Sequence, residues 1–295
     1  MSDTVIKKID NHTIELSNLN KVFFPKSAIT KDDVISYYDK IAQYFLPHVK
    51  NHLIVMRRFP DGITTDGFYQ KQIPSYFPTW ISYEKIELKK GDDQELVLID
   101  KAATLVYLAN QAVLEFHSWL SSVKDIHKPD KIVFDLDPSG NDLKILRLAA
   151  KKLKKIIENH GLKPFLMTTG SRGYHIITPI IPEHTFEKVH NFAKHISHTL
   201  STEYNDHFTV EISKSKRKGR VFIDYLRNSY GQTSVAPYSL RAKEGAPVAT
   251  PIDWSELSKT EPQKYNLKNI FKRLSRKKDP WVDFEKSAKK LDLDK

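Results

Sequence analysis

The 295-residue sequence contains no cysteine. That absence excludes disulfides, thiolate zinc sites and a cysteine nucleophile. It also lacks any apolar run near the ~18–20 residues that a membrane helix requires, so no membrane partner is expected. The opening residues, Met-Ser-Asp-Thr-Val-Ile-Lys-Lys, have no apolar core of a signal peptide and point to a cytoplasmic protein. No internal repeat, low-complexity tract or obvious interdomain linker breaks the chain. Acidic charge is scarce: 36 Asp and Glu stand against 47 Lys and Arg, for a net charge of +11. Such an excess favours a polyanion through counterion release and steering, and nucleic acid is the usual one. A merely soluble basic protein would look the same by charge alone.

What is present reads as a mixed chain. Val5–Leu16 suggests a hairpin turned at Asp10-Asn11-His12, and Ser17 to Pro25 a loop. Thr30-Lys-Asp-Asp33 resembles a capping box that opens a helix to about Phe45. Leu53–Arg57 is a short strand, and residues 81–88 and 95–99 pair as a hairpin about 89–93. Asp100 caps a helix with the stripe Leu105, Leu108, Ala109, Ala112, Val113 and Phe116, ending around 115–119. Asn141 or Asp142 starts an amphipathic helix that Gly161 stops. Strands at 163–168 and 174–178 flank Thr169–Gly173, and a helix near Phe186–Leu200 follows. A strand at 209–212 then leads through a basic hairpin tip, 213–220, into Val221–Tyr225. Residues 271–278 form a second basic cluster. Strands and helices mix throughout, which argues α/β or α+β.

The chemistry centres on Lys131-Ile-Val-Phe-Asp-Leu-Asp-Pro138. Side chains alternate along a strand, so Ile132, Phe134 and Leu136 point one way, and Val133, Asp135 and Asp137 the other. The two carboxylates stand roughly 6.6–7 Å apart at Cα, twice the strand rise. A hard divalent cation with oxygen ligands relieves such repulsion. The bland reading is a capping Asp137 and a solvated Asp135. Asp224 lies in the apolar strand Val-Phe-Ile-Asp-Tyr225, where a buried carboxylate needs a partner. Either a shared metal or Arg227 could serve. Three carboxylates on two strands would suit a two-metal phosphoryl-transfer centre. In Thr169-Gly-Ser-Arg-Gly173, Gly170 and Gly173 let backbone amides converge on a phosphate. Thr169 and Ser171 add hydroxyls there, and Arg172 a bidentate cation. A plain turn with an exposed arginine is the alternative. The Gly-Lys-Ser/Thr ending of a Walker loop is absent, as is the following helix of a dinucleotide fingerprint.

Asp135-Leu-Asp-Pro138, Thr168-Thr-Gly-Ser-Arg-Gly-Tyr-His175 and Ile223-Asp-Tyr-Leu-Arg-Asn228, in this order, resemble the polymerase domain of bacterial DNA ligase D. That domain belongs to the archaeo-eukaryotic primase superfamily. Gln232 to Ala242, Gly245 to Pro251, Leu19 to Pro25 and Thr30 to Asp33 fit the same pattern, so the likeness runs from about residue 12 to the end. It implies an RRM-like catalytic sheet with helices, elaborated by an N-terminal α/β region. The chain would then be one catalytic domain over 1–295. Residues 1–120 would be its DNA-binding region, 121–260 its core and 261–295 a basic C-terminal segment.

Carried over residue by residue, the resemblance implies that Asp135, Asp137 and Asp224 bind two divalent ions, manganese in preference to magnesium. Thr169, Ser171, Arg172 and His175 would surround the triphosphate of an NTP or dNTP, with Arg217 and Arg241 adding charge. His117 would sit by the sugar or triphosphate, with Arg57 on the same side. Asn18, Lys21 and Lys31 would hold the 5′-phosphate of a downstream strand, and Phe68 and Tyr69 would contact template bases. Each has a plainer reading: a surface histidine at a helix end, core aromatics, solvated lysines. Thr169 departs from the serine usual in the family. No nuclease or ligase segment occurs in the 295 residues, so the expectation is a free-standing polymerase or a separately encoded partner of a ligase. The implied activity is template-directed gap filling at broken DNA ends with ready ribonucleotide insertion, near the nucleoid, alongside Ku and a DNA ligase. A primase starting chains de novo and a silent DNA-end-binding module are the alternatives.

Overall fold

Residues 4–87, 93–140 and 142–293 are described in the structure, a computed structural model of the chain. They fall into two units, each assembled from separate stretches. One takes Met1–Trp119, Val235–Ala249 and Tyr265–Phe271, and the other Leu120–Ser234, Thr250–Lys264 and Lys272–Lys295. The segment 261–295 is therefore divided between them. Among the described residues, no helix is long and apolar enough to cross a membrane.

In the first unit, β1 (Val5–Ile9) and β2 (His12–Leu16) form the expected hairpin. Asp10 and Asn11 make its turn with φ of 46° and 64°, a backbone region that Asn and Asp tolerate. The expected loop at 17–25 contains a short strand, β3 (Val22–Phe24), paired with β4 (Ile29–Thr30). Thr30 then closes a full capping box with Asp33 at the start of α1 (Lys31–Val49). The helix outruns its expected end at Phe45, because its buried stripe continues to Val49 and Pro47 costs one hydrogen bond in the last turn.

Next come β5 (His52–Arg58), β6 (Phe68–Gln70), β7 (Tyr83–Ile86) and β8 (Gln94–Leu98). The hairpin expected at 81–99 is β7 with β8; its turn, residues 88–92, lies outside the described residues. α2 (Ala102–Asn110) is not capped by the Asp100 side chain. Asp10 performs that task from the β1–β2 turn, accepting from the Ala103 amide at 3.0 Å. α2 also stops early. Ala112 takes φ 62°, and residues 113–122 form a ten-residue strand, β9 (Val113–Ser122). His117 is thus on a strand and not at a helix end. The apolar stripe misled because nearly every residue of β9 is buried, leaving no period-2 alternation to mark a strand. The sheet runs β9-β5-β8-β7, with β6 on β5.

The second unit holds β10 (Lys131–Pro138), α3 (Leu143–Asn159), β11 (Phe165–Thr168), β12 (Tyr174–Pro179), α4 (Phe186–Glu203), β13 (Phe208–Thr209) and β14 (Val221–Asp224). β15 (Thr233–Val235) leads back into the first unit, β16 (Thr250–Ile252) returns, and α5 (Ile270–Leu274) follows. The sheet order is β13-β14-β10-β12-β11-β16. Numbering β10, β11, β12 and β14 as one to four, the central order is 4-1-3-2 with antiparallel neighbours, the split βαβ arrangement of an RRM-like sheet. Asp142 caps α3, accepting from Lys144 and Ile145 amides at 2.7 and 3.3 Å, and Gly161 ends it at φ 75°. Leu146, Leu153 and Ile157 of α3 are buried, each worth about 1.5–3 kcal/mol. One expectation fails here. β13 pairs with β14 in parallel, so residues 210–220 are a crossing loop and not a hairpin tip.

Candidate functional site

The β10 alternation holds: Ile132, Phe134 and Leu136 are fully buried, while Asp135 and Asp137 keep some exposure. Register then decides what each acid meets. Asp135 lies opposite His175 of β12 on one side and opposite Asp224 of β14 on the other. Directly paired residues in an antiparallel ladder are about 4.5–5.5 Å apart at Cα, so two carboxylates face one another across the ladder. Burial and the Asp135 charge push the Asp224 carboxyl above its usual range, with Arg227 only partly offsetting them. Burial would raise Asp135 too, but His175 and Arg227 outweigh it and hold that group well below the carboxylate range. Arg227 Nε and Nη2 both donate to Asp135 Oδ2, at 3.1 and 2.8 Å, while Asp224 is 4.0 Å away. The arginine weighed as a partner for Asp224 therefore serves Asp135 first. His175 Nε2 lies 3.4 Å from the same oxygen, and its Nδ1 lies 3.2 Å from Ser234 Oγ.

Asp137 is bracketed by Arg172 and Arg217, each 2.9 Å from one carboxylate oxygen. As they stand, no three His, Asp or Glu side chains among the described residues form a metal cage. The donor set nevertheless fits hard divalent cations: carboxylate oxygens suit Mg²⁺ and Mn²⁺. The raised Asp224 also marks a repulsion that a cation would relieve.

The Thr169–Gly173 loop is tied by Thr169. Its hydroxyl donates to the Gly173 carbonyl at 3.0 Å and accepts from the Ser171 and Gly173 amides at 3.1 and 3.3 Å. Gly170 takes φ 63°. At Gly173 a Cβ would sit 1.9 Å from the Leu136 carbonyl oxygen, so the loop packs on β10 only as glycine. The loop thus carries Ser171 and Arg172 against the acidic strand.

The remaining candidates belong to the first unit, in two groups. Glu115, buried on β9, gathers one group: His117 Nε2 lies 3.0 Å, Arg241 Nε 3.3 Å and Arg57 Nη1 3.5 Å from its carboxylate, and the Ala242 amide donates at 2.9 Å. Burial opposes its charge, but His117 and Arg241 hold its carboxyl well below the usual range. Tyr69 joins them, its ring 5.6 Å from that of His117 and 5.3 Å from the Arg57 guanidinium. Phe68 does not. Strand alternation turns it to the other face of β6, where Arg58 lies 5.7 Å from its ring and also bonds Tyr76. Both aromatics are exposed, Phe68 by 47% and Tyr69 by 57%, so the core reading fails.

Asn18, Lys21 and Lys31 form the other group. Asn18 turns the chain at φ 54° and its carbonyl accepts from the Lys21 amide at 3.0 Å. The Lys21 carbonyl in turn accepts from the Lys31 amide at 2.8 Å. Lys31 is 5% exposed and its Nζ donates to the Ser17 carbonyl at 2.6 Å. Burial and the Lys21 charge lower its pKa to about 8. Lys21 Nζ bonds Asp61 at 2.7 Å. The Asp61 turn is itself fixed to β3, since the Ile63 amide donates to the Phe23 carbonyl at 2.9 Å.

Sequence reasoning missed Glu115, whose partners come from residues 57 and 241, and Asp61, whose role exists only beside Lys21. Arg227 carried a signal, three residues after Asp224, but its stronger bond depends on register.

A family model described as the LigD primase-polymerase domain matches residues 30–281. The chain is 30% identical over 274 residues to the "Bifunctional non-homologous end joining protein LigD" of Bacillus subtilis, covering 92% of this chain and 44% of that protein. It is 30% identical over 265 residues to the "Multifunctional non-homologous end joining protein LigD" of Mycolicibacterium smegmatis, covering 88% and 34%. The chain thus spans less than half the length of these relatives. Among solved structures, the "Polymerase Domain from Mycobacterium tuberculosis Ligase D in complex with DNA" superposes with a TM-score of 0.86 at 29% identity. That match covers 93% of this chain and 99% of the other.

Proposed function

Because the chain belongs to the LigD primase-polymerase domain family and is a DNA-directed nucleotidyltransferase, we propose that it fills short gaps at broken DNA ends. It extends a primer 3′-hydroxyl from a nucleoside triphosphate, accepts ribonucleotides readily and works in non-homologous end joining with Ku and a DNA ligase. The observation that carries this reading is the register that sets Asp135 opposite Asp224, with Asp137 two residues along the same strand.

Asp135, Asp137 and Asp224 would hold two Mn²⁺ or Mg²⁺ ions, which when bound polarise phosphoryl oxygens and acidify an attacking hydroxyl. His175 and Arg227 hold the Asp135 carboxyl well below the usual carboxylate range against the effect of burial. Ser171 and Arg172, on a loop closed by Thr169, offer a hydroxyl and a guanidinium to the triphosphate. In the first unit, Glu115 gathers Arg57, His117 and Arg241, which would serve nucleotide sugar and phosphate, and Tyr69 supplies an exposed ring for a base. Stacking of this kind is worth ~1–3 kcal/mol per base. Lys21 and Lys31 with Asn18 take the 5′-phosphate of the downstream strand.

The test is extension of a primer across a one-nucleotide gap with Mn²⁺, comparing ribo- and deoxynucleotides. Extension that survives Asp224→Asn would overturn the metal assignment. Equal binding of gapped duplexes with and without the 5′-phosphate would overturn the lysine assignment.

A further inference from the structure

The positive charge of the chain is concentrated on α3, whose 17 residues hold six Lys and Arg against a single Glu. That is a net +5 of the +11 carried by the whole sequence. The apolar side of the helix, Leu146, Leu153 and Ile157, is buried. Arg147 of α3 lies beside the Tyr174 hydroxyl, and Tyr174 pairs directly with Leu136 in the β10–β12 ladder. Leu136 alternates away from Asp135 and Asp137, so α3 covers the face of the sheet opposite the acidic cluster. On the solvent side, Lys152 and Lys154 are already engaged. Lys152 Nζ lies 4.6 Å from the Tyr204 ring centroid, and Lys154 Nζ lies 3.2 Å from Glu158.

Lys144, Lys151 and Lys155 differ. Seven and eleven residues are close to two and three helical turns, so the three lysines fall within about 40° around the helix and span roughly 16 Å along it. All three are exposed, and among the described residues no carboxylate pairs with their amines. A row of like charges repels itself and attracts a polyanion. Duplex DNA presents about ten phosphates over the same length. A protein partner would need apolar or aromatic anchors, and none of the exposed large apolar side chains belongs to α3. A bilayer would need an apolar face to insert, and that of α3 is turned to the sheet.

We propose that Lys144, Lys151 and Lys155 form a second DNA-binding surface, which takes the phosphate backbone of a duplex other than the one at the acidic strand. Lysine meets phosphate as a point charge, so this binding carries no sequence preference. One chain then holds two duplexes on opposite faces of one sheet. The inference rests on the DNA-extending reading above only for the first duplex.

The experiment takes the full chain bound one-to-one to a donor-labelled gapped duplex and titrates in an acceptor-labelled blunt duplex, reading energy transfer at several salt concentrations. Wild type gives energy transfer, and log affinity falls against log salt with a slope of about −2.7, at ~0.9 per neutralised phosphate. Lys144→Gln/Lys151→Gln/Lys155→Gln weakens the second duplex roughly tenfold or more at low salt, while gap filling by the preformed complex keeps its rate. Lys8→Gln/Lys40→Gln/Lys50→Gln removes the same charge from exposed lysines of the first unit and leaves the second duplex bound as in wild type. Absence of energy transfer in wild type overturns the second surface. Equal weakening by both triple variants overturns the role of α3, since net charge alone would then be acting. A stripe variant that binds the blunt duplex normally but loses poly-L-glutamate assigns the lysines to an acidic peptide and overturns the DNA reading. Energy transfer without gap filling overturns the proposed activity and leaves the second surface standing. Thermal melts of each variant confirm that folded protein is being compared.

Discussion

The acidic strand of the second unit and the lysine pair of the first are opposite answers to the same electrostatic problem. In each, the fold places like charges together and drives one of them towards neutrality. Burial and Asp135 push Asp224 up; burial and Lys21 pull Lys31 down to about 8. On the reading proposed above, each site would be completed by a charge of the other sign, a cation in one and an anion in the other. They differ in what stands in meanwhile. Asp135 is held by Arg227 and His175 within a ladder, whereas Lys21 is held by Asp61, a 70% exposed carboxylate on a turn. The first counter-charge is structural and the second is displaceable.

Breaking the acidic site has the largest effect, and the two cross-strand aspartates separate function from stability. Both Asp135→Asn and Asp224→Asn are expected to reduce Mn²⁺-dependent gap filling by about three orders of magnitude. That equals several kcal/mol of lost charge stabilisation at ~1.4 kcal/mol per tenfold. Their melting temperatures diverge. Asp135→Asn removes one partner of a half-buried ion pair, whose Arg227 is 34% exposed, and costs about 1–3 kcal/mol. Asp224→Asn relieves a repelled carboxylate and leaves stability unchanged or higher. Equal destabilisation by both would contradict the assignment of Arg227 to Asp135.

That assignment also marks the limit of what sequence could reveal. The Asp135/Asp137 pair was legible because strand alternation and the Pro138 stop are local. The RRM-like sheet was expected from the family resemblance alone, whereas α3 was legible in its 3.6-residue stripe and its Asp142 cap. His117 was misplaced because ten consecutive residues from Val113 are largely buried on both faces, which erases the strand period. Glu115, Asp61 and the separation of Phe68 from Tyr69 were invisible for a different reason. They follow from which residues meet across 40 to 127 positions, or from which face a three-residue strand presents.

Next in size is Gly173→Ala. The added methyl would lie 1.9 Å from the Leu136 carbonyl, so the loop must move off β10. Overpacking of this kind costs roughly 1–3 kcal/mol, which lowers the melting temperature by about 2–10 °C. Arg172 would leave Asp137 at the same time. A variant with wild-type melting and nucleotide affinity would show that the loop is not pinned there.

The lysine site responds to pH. Free Lys31 loses its proton near pH 8, and a bound phosphate dianion raises that pKa, so binding above pH 8 requires proton uptake. The preference for a 5′-phosphorylated gap is therefore greatest near pH 7, since below it the phosphate itself gains a proton (second pKa about 6). It then falls roughly tenfold between pH 7 and 9, as the charged fraction of Lys31 drops to about a tenth. In Lys31→Met the preference is small and independent of pH over that window. A wild-type preference that stays constant to pH 9 would remove Lys31 from phosphate binding.

The smallest effect isolates the displaceable counter-charge. If Asp61 occupies Lys21 until a phosphate arrives, Asp61→Asn removes a competitor and strengthens binding of a 5′-phosphorylated gap. The gain is about two- to fivefold, since an exposed ion pair is worth ~0.2–1 kcal/mol and falls further with added salt. A 5′-hydroxyl gap has nothing to offer Lys21, so its affinity stays where it was and the discrimination ratio rises. The gain must also vanish in a Lys21→Ala background, because the competition runs through that amine alone. Should Asp61→Asn strengthen both gapped duplexes equally, its effect would be general charge, and the turn carrying Asp61 would have no part in reading the 5′ end.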